Sequence, residues 1–170
     1  MDKTKVTKDL EAKTLTIERT FAAPVEKLWQ AYADKDMFVQ WWGPEGWETT
    51  VKEFDFRAGG RNHYCMKCVD ENQGEWFGKD AWGIMDYKTV DAPSNFTYTD
   101  YFSNEAGDID EQMPALEITV EFVATDDGQT TMISRSVASS AEEIEQLVKM
   151  GMIEGFSSSA DKLERLVTQQ

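Results

Sequence analysis

The chain has 170 residues, 32 of them acidic and 17 basic, and carries a formal net charge of −15. That charge repels nucleic-acid phosphates and anionic lipid surfaces, which excludes both as expected partners, and acids scattered along a chain serve chiefly to keep it in solution. The length suits one domain with a full core, expected over residues 13–170 after a loose polar segment 1–12; with no signal-peptide core and no run long enough to span a membrane, the protein is expected to be cytoplasmic.

The first structured element follows the polar segment. Leu15, Ile17 and Arg19 alternate with Thr14, Thr16, Glu18 and Thr20, which predicts a strand ending near Phe21. Pro24 suits the first turn of a helix in which Val25, Leu28, Trp29 and Tyr32 keep helical spacing. A second short helix, Asp34 to Gln40, would turn Met37 and Phe38 inward, and Gly43-Pro44 must stop it. Trp41 and Trp42 precede that stop. Large aromatics usually fill a core, and the functional alternative, entered here for Trp41, is that it lines or closes the mouth of a pocket.

Trp47 to Arg57 and Arg61 to Val69 read as the two strands of a hairpin joined at Ala58-Gly59-Gly60. Strand alternation places Asn62, Tyr64, Met66 and Cys68 on one face, assigned inward, and Arg61, His63, Cys65 and Lys67 on the other. His63 is then expected to be exposed and without a catalytic role. Cys65 and Cys68 form a nominal CxxC, but three positions apart on a strand they are expected to face opposite sides and cannot easily share a metal or a disulfide. Two reduced thiols, with neither metal nor cofactor, are the expectation.

Further on, Glu75 to Thr89 predicts a long bent strand with a bulge, carrying Trp76, Phe77, Trp82 and Tyr87. Phe96, Tyr98 and Phe102 alternate in the next strand, and Leu116, Ile118, Val120 and Phe122 in a third. Asp126-Asp127-Gly128 turns that third strand into Thr130 to Val137. From Ser140 to Gln170 the chain reads as one long amphipathic helix, with Ile144, Leu147, Val148, Met152, Phe156, Leu163 and Val167 on its apolar face. Ser140 and Glu143 form a capping box at its start. Gly151 and Gly155, each costing about 1 kcal/mol in a helix relative to Ala, mark a kink or the close approach of another group.

Three stretches resemble one superfamily: Arg19-Thr-Phe-Ala-Ala-Pro24 ahead of a helix holding Leu28-Trp29, the turn Trp41-Trp42-Gly43-Pro44, and Asp55-Phe-Arg57-Ala-Gly59-Gly60 at a hairpin. Together they look like the START-like superfamily, and within it the Aha-type family related to the C-terminal domain of activators of the heat-shock protein 90 ATPase. The likeness runs from about Thr14 to Val167, with Phe156 where the family more usually shows Trp. It implies an α+β helix-grip fold: a curved antiparallel sheet of about seven strands wrapped around a long C-terminal helix, with two short helices after the first strand.

Such a fold leaves a space between sheet and helix, typically of about 300 to 1,000 Å³. Trp41, Tyr64, Met66, Trp82, Tyr98, Phe102, Met113, Met152 and Phe156 are the expected lining, a set rich in the Met and aromatic side chains that adapt to apolar ligands. The leading expectation is therefore binding of a small hydrophobic molecule. The family likeness adds a second reading, a chaperone-associated role in the stress response, and a third, a cyclase- or dehydratase-like enzyme using the same cavity. No residue is assigned as catalytic, because the single His was placed outside and the acids form no matched acid–base pair. The third reading predicts ionisable groups inside the cavity.

Overall fold

The computed structural model describes residues 4–168. Eight strands form one antiparallel sheet in the order β1-β2-β8-β7-β6-β5-β4-β3. They are β1 (Lys5–Asp9), β2 (Thr14–Phe21), β3 (Trp47–Phe54), β4 (Arg61–Cys68), β5 (Asp80–Asp91), β6 (Asn95–Ser103), β7 (Leu116–Ala124) and β8 (Thr130–Val137). Helices α1 (Val25–Ala33) and α2 (Lys35–Trp41) follow β2, and α3 (Ala141–Lys149) and α4 (Met152–Val167) end the chain. The expected α+β helix-grip architecture is present, with eight strands where about seven were anticipated.

The additional strand is β1, which falls within the segment 1–12 expected to be loose. Its partner is β2, with Val6 opposite Ile17 and Lys8 opposite Leu15. It is an edge strand whose side chains are mostly exposed, so its sequence needs no apolar alternation to pair. Residues 1–3 of that segment lie outside the described residues, as do 169–170 at the far end of the expected helix.

Alternation predicts burial well in β7, where Leu116, Ile118, Val120 and Phe122 are buried and the residues between them exposed. The β7–β8 turn carries Gly128 at φ +81°, a left-handed conformation that glycine adopts without steric penalty. β5 begins at Asp80, not Glu75. The preceding residues Glu71–Trp76 form an irregular 3₁₀ segment that leaves Trp76 and Phe77 half exposed. The register of β5 against β6 shifts between Tyr87 and Thr89, where the strand carries a bulge.

The expected single C-terminal helix is two helices. Ser140 caps α3 by accepting from the Glu143 amide, and Glu143 returns a bond to the Ser139 amide. At Gly151 the backbone turns left-handed, φ +91°, and α4 starts afresh. The apolar spacing runs on across this break, so periodicity alone does not reveal it.

Aromatic packing fills one end of the space between sheet and helices. Trp29 and Tyr32 of α1 meet Phe96 and Phe122 edge to face or tilted, at ring-centroid distances of 5.0 to 6.0 Å. Phe56 completes this wall against Tyr87 and Phe96. On α4, Ala160, Leu163 and Val167 are buried. Full burial of an aliphatic side chain such as Leu163 contributes roughly 1.5 to 3 kcal/mol.

Candidate functional site

At the other end, the facing elements do not meet. A cavity of about 340 Å³ lies between the inner face of the sheet and α3–α4. The α3–α4 break forms part of its rim, with Met150, Gly151 and Met152 in the wall. Phe102 and Met150, the only exposed side chains in the lining, mark its mouth. The turn after α2 forms another part of the rim. It is tied to α4 by Lys162, which donates to the Gly43 carbonyl at 3.1 Å, and by the Glu45 amide, which donates to Ser158 Oγ at 2.8 Å.

Eight of the nine expected residues border this space: Trp41, Tyr64, Met66, Trp82, Tyr98, Phe102, Met152 and Phe156. Two of them contribute differently from expectation. Trp41 is fully buried and its indole N–H donates to the Ala31 carbonyl at 2.9 Å, so it is a fixed wall and not a gate. Trp82 pairs with Cys65, and its ring packs 5.1 Å from that of His63, on the sheet face opposite Tyr64. Met113 does not border the cavity. It is half-buried and closes a turn, its amide bonded to the Asp110 carbonyl.

The lining also includes residues that the sequence patterns do not single out. Ser134 and Ser136 of β8 and Ser159 of α4 are buried hydroxyl-bearing residues in the wall. Asp100 is the most consequential. It stands in phase with Phe96, Tyr98 and Phe102 on β6, so the alternation that turned those aromatics inward also turns this carboxyl inward. Tyr64 Oη donates to Asp100 Oδ1 at 3.0 Å. Burial pushes the Asp100 carboxyl up to about 7, while the Tyr64 hydrogen bond acts in the opposite direction. Burial likewise holds the phenols of Tyr64 and Tyr98 well above their usual range.

The outer face of the sheet departs from expectation. His63, expected outside, is only 5% exposed. Its Nε2 donates to the Asn104 carbonyl at 2.9 Å, and Gly107 lies beside the ring, so the loop after β6 covers it. Cys65 on the same face is buried too, and burial raises its thiol pKa. Both cysteines are free thiols. Among the described residues no three His, Cys, Asp or Glu side chains are grouped as metal ligands, and no helix is long and apolar enough to cross a membrane. Arg57 bonds Asp55 at 2.7 Å beside the Gly59-Gly60 turn, and Arg61 bonds Asp86 at 2.9 Å, so the charges at that end of the sheet satisfy each other.

Comparison with known proteins matches residues 22–168 to the family described as Activator of Hsp90 ATPase homolog 1-like protein. Among solved structures, protein Ms6760 from Mycobacterium smegmatis is 34% identical, with a TM-score of 0.86 over 98% of this chain and 97% of its own. A protein from Arthrobacter aurescens is 27% identical, with a TM-score of 0.86 over 98% of this chain and 92% of its own. The AHSA1 protein from Silicibacter pomeroyi, 23% identical with a TM-score of 0.65 over 89% of this chain and 95% of its own, shares the fold. No curated protein matches.

Proposed function

The chain belongs to the Activator of Hsp90 ATPase homolog 1-like family, and from that premise we propose that it binds a small, largely apolar molecule between the sheet and α3–α4. The observation that carries this reading is the cavity itself. A wall of Met66, Met152, Phe156, Tyr98 and Leu116 bounds about 340 Å³ where the other end of the same core is filled by interlocked rings. Protein interiors are ordinarily packed to crystal density, so a space of this size lined by adaptable side chains is fitted to an occupant.

A panel of small hydrophobic compounds, followed by thermal unfolding and tryptophan fluorescence, tests the proposal. A ligand at a hundredfold excess over its Kd stabilises the folded chain by about 2.7 kcal/mol, which raises Tm by several degrees. Phe156→Trp, which places a larger ring in the wall, is expected to weaken that ligand severalfold while leaving the unliganded Tm nearly unchanged. No saturable shift with any compound would overturn the reading. A cyclase-like reaction has less support, because proton transfer needs a matched acid and base, and the lining among the described residues carries one carboxylate and no His, Lys or Arg. A chaperone-associated role has the family description in its favour. Failure of the tagged chain to recover heat-shock protein 90 from its native lysate would remove it.

A further inference from the structure

We propose, resting on the binding reading above, that the cavity selects a hydrophobic amine, its ammonium group held against Asp100 and its apolar body against the Met and aromatic wall. Asp100 is the only carboxyl of the described lining, which has no His, Lys or Arg, so the charge this wall can present near neutral pH is negative. Among the described residues Tyr64 is the one hydrogen-bond partner of its carboxyl, occupying Oδ1 and leaving the second oxygen for a ligand. The phenol fixes the carboxyl and cannot neutralise it. Trp42, Tyr64 and Tyr98 add aromatic rings to the wall, and an aromatic ring attracts a cation to its face.

The alternatives fare worse on the same geometry. A fatty acid or other carboxylate would bring a second negative charge beside Asp100 in a site that water screens poorly, within a chain already carrying −15. A neutral apolar ligand would leave the second oxygen of Asp100 facing apolar groups without a partner. Only a donor, and best a charged one, satisfies it.

Binding of an ammonium requires Asp100 ionised, so affinity is expected to rise with pH. The titratable groups facing Asp100 are Tyr64 from β4, Tyr87 from β5 and Tyr98 from β6 itself, all phenols that burial keeps protonated across this range. The lining residues of β7, β8, α3 and α4 carry no titratable side chain. Lys162 of α4 bonds the Gly43 carbonyl and is not part of the lining.

Three probes of nearly equal shape separate the possibilities: naphthylmethylamine, naphthylmethanol and naphthoic acid, titrated by calorimetry against the full chain. At about pH 8 the amine is expected to bind at least about tenfold tighter than the alcohol, with the acid weakest. Lowering the pH to about 5.5 should weaken the amine about tenfold or more and leave the alcohol little changed. Asp100→Asn should bring the amine to within about threefold of the alcohol, since the amide keeps the shape and removes the charge. An amine no tighter than the alcohol, or an amine preference that survives both low pH and Asp100→Asn, overturns this inference while leaving the binding reading intact. If none of the three binds, this inference falls, and the binding reading is decided by the wider compound panel. Should Asp100→Asn fail to fold, the pH dependence of the wild-type chain decides the question.

Discussion

The Tyr64 ring lies in the space that a side chain at Gly83 would need: a Cβ there would stand 2.3 Å from the Tyr64 hydroxyl and 2.4 Å from its Cζ. The two residues are direct partners across β4 and β5. The missing side chain at position 83 is therefore what lets the phenol lie flat along the sheet and reach Asp100. Gly83→Ala is expected to cost about 1 to 3 kcal/mol in urea denaturation, because the ring is wedged against Phe38 and Trp42 and must shift as a unit. In a Tyr64→Ala background the same substitution should cost much less. Equal costs in both backgrounds would mean that the two positions are not coupled.

Asp100 gives the fold a pH dependence of predictable sign. In the unfolded chain this carboxyl ionises near pH 4, whereas burial holds it protonated up to about 7 in the folded one. Between those values the native state keeps a proton that the unfolded state has lost, so stability from this group falls as pH rises through the window. The penalty is then constant above the folded pKa. Asp100→Asn should thus gain Tm over the wild type progressively from about pH 4 to about pH 8, and no further. Tyr64→Phe removes the bond that lowers this pKa, so it should move the carboxyl higher still. A carbon-13 titration of the Asp100 carboxyl that gave an ordinary carboxylate value in the wild type would contradict both expectations.

How far the sequence disclosed this arrangement depends on which physical signal each element carries. β7 was plain because Leu116, Ile118, Val120 and Phe122 face a core while the residues between them face water. β1 was hidden because an edge strand with both faces largely exposed has no apolar rhythm to read. For His63 the strand face was assigned correctly and its exposure was not. The cover comes from the loop around Asn104 and Gly107, some forty residues away, and local periodicity carries no trace of it. Trp82 is expected inward with the other aromatics, although its place opposite Cys65 puts it on the outer face. Asp100 was the reverse case. Its phase with Tyr98 and Phe102 was readable, but an acid on an apolar face runs against the usual expectation for burial.

Gly151 and Gly155, four positions apart, should respond to substitution in opposite directions. At Gly151 the backbone is left-handed, φ +91°, and an L-residue there is strained, so Gly151→Ala is expected to lower stability by about 1 to 2 kcal/mol. Gly155 sits within α4, and a Cβ there would meet no heavy atom within 4 Å. Gly155→Ala should therefore raise stability by about 1 kcal/mol through helix propensity alone. Its methyl group would adjoin the cavity wall, so ligand affinity is expected to change with bulk at this position and more steeply for larger side chains. Urea denaturation of the two Ala variants checks the opposite signs, and a shared sign would mean that the α3–α4 break is not where it is placed here.

Arg19 ties β2 to α4 under unusual conditions. Its side chain is only 2% exposed, yet the carboxylates that balance it, Asp161 at 2.7 Å and Glu164 at 3.3 Å, stand at the surface side of the contact with exposures of 56% and 26%. Its remaining hydrogen bonds are long, to Thr4 Oγ1 at 3.4 Å and the Ser157 carbonyl at 3.5 Å, its guanidinium lies 5.5 Å from the centre of the Phe21 ring, and its Nε is buried without a hydrogen-bond partner among the described residues. A buried cation in this setting recovers little more than its desolvation cost from its partners, whereas the same cation deprived of them is strongly unfavourable. Arg19→Met, which keeps the packing stem and removes the charge, should stay within about 1 kcal/mol of the wild type. The double variant Asp161→Asn with Glu164→Gln leaves the guanidinium in place without its counter-charges, and should cost about 3 kcal/mol, toward the lower end for a broken buried pair because water still reaches the Asp161 side. The order of the two losses in urea denaturation is the decisive reading: if removing Arg19 costs more than removing both acids, the residue holds α4 by packing and hydrogen bonding, and its charge is incidental.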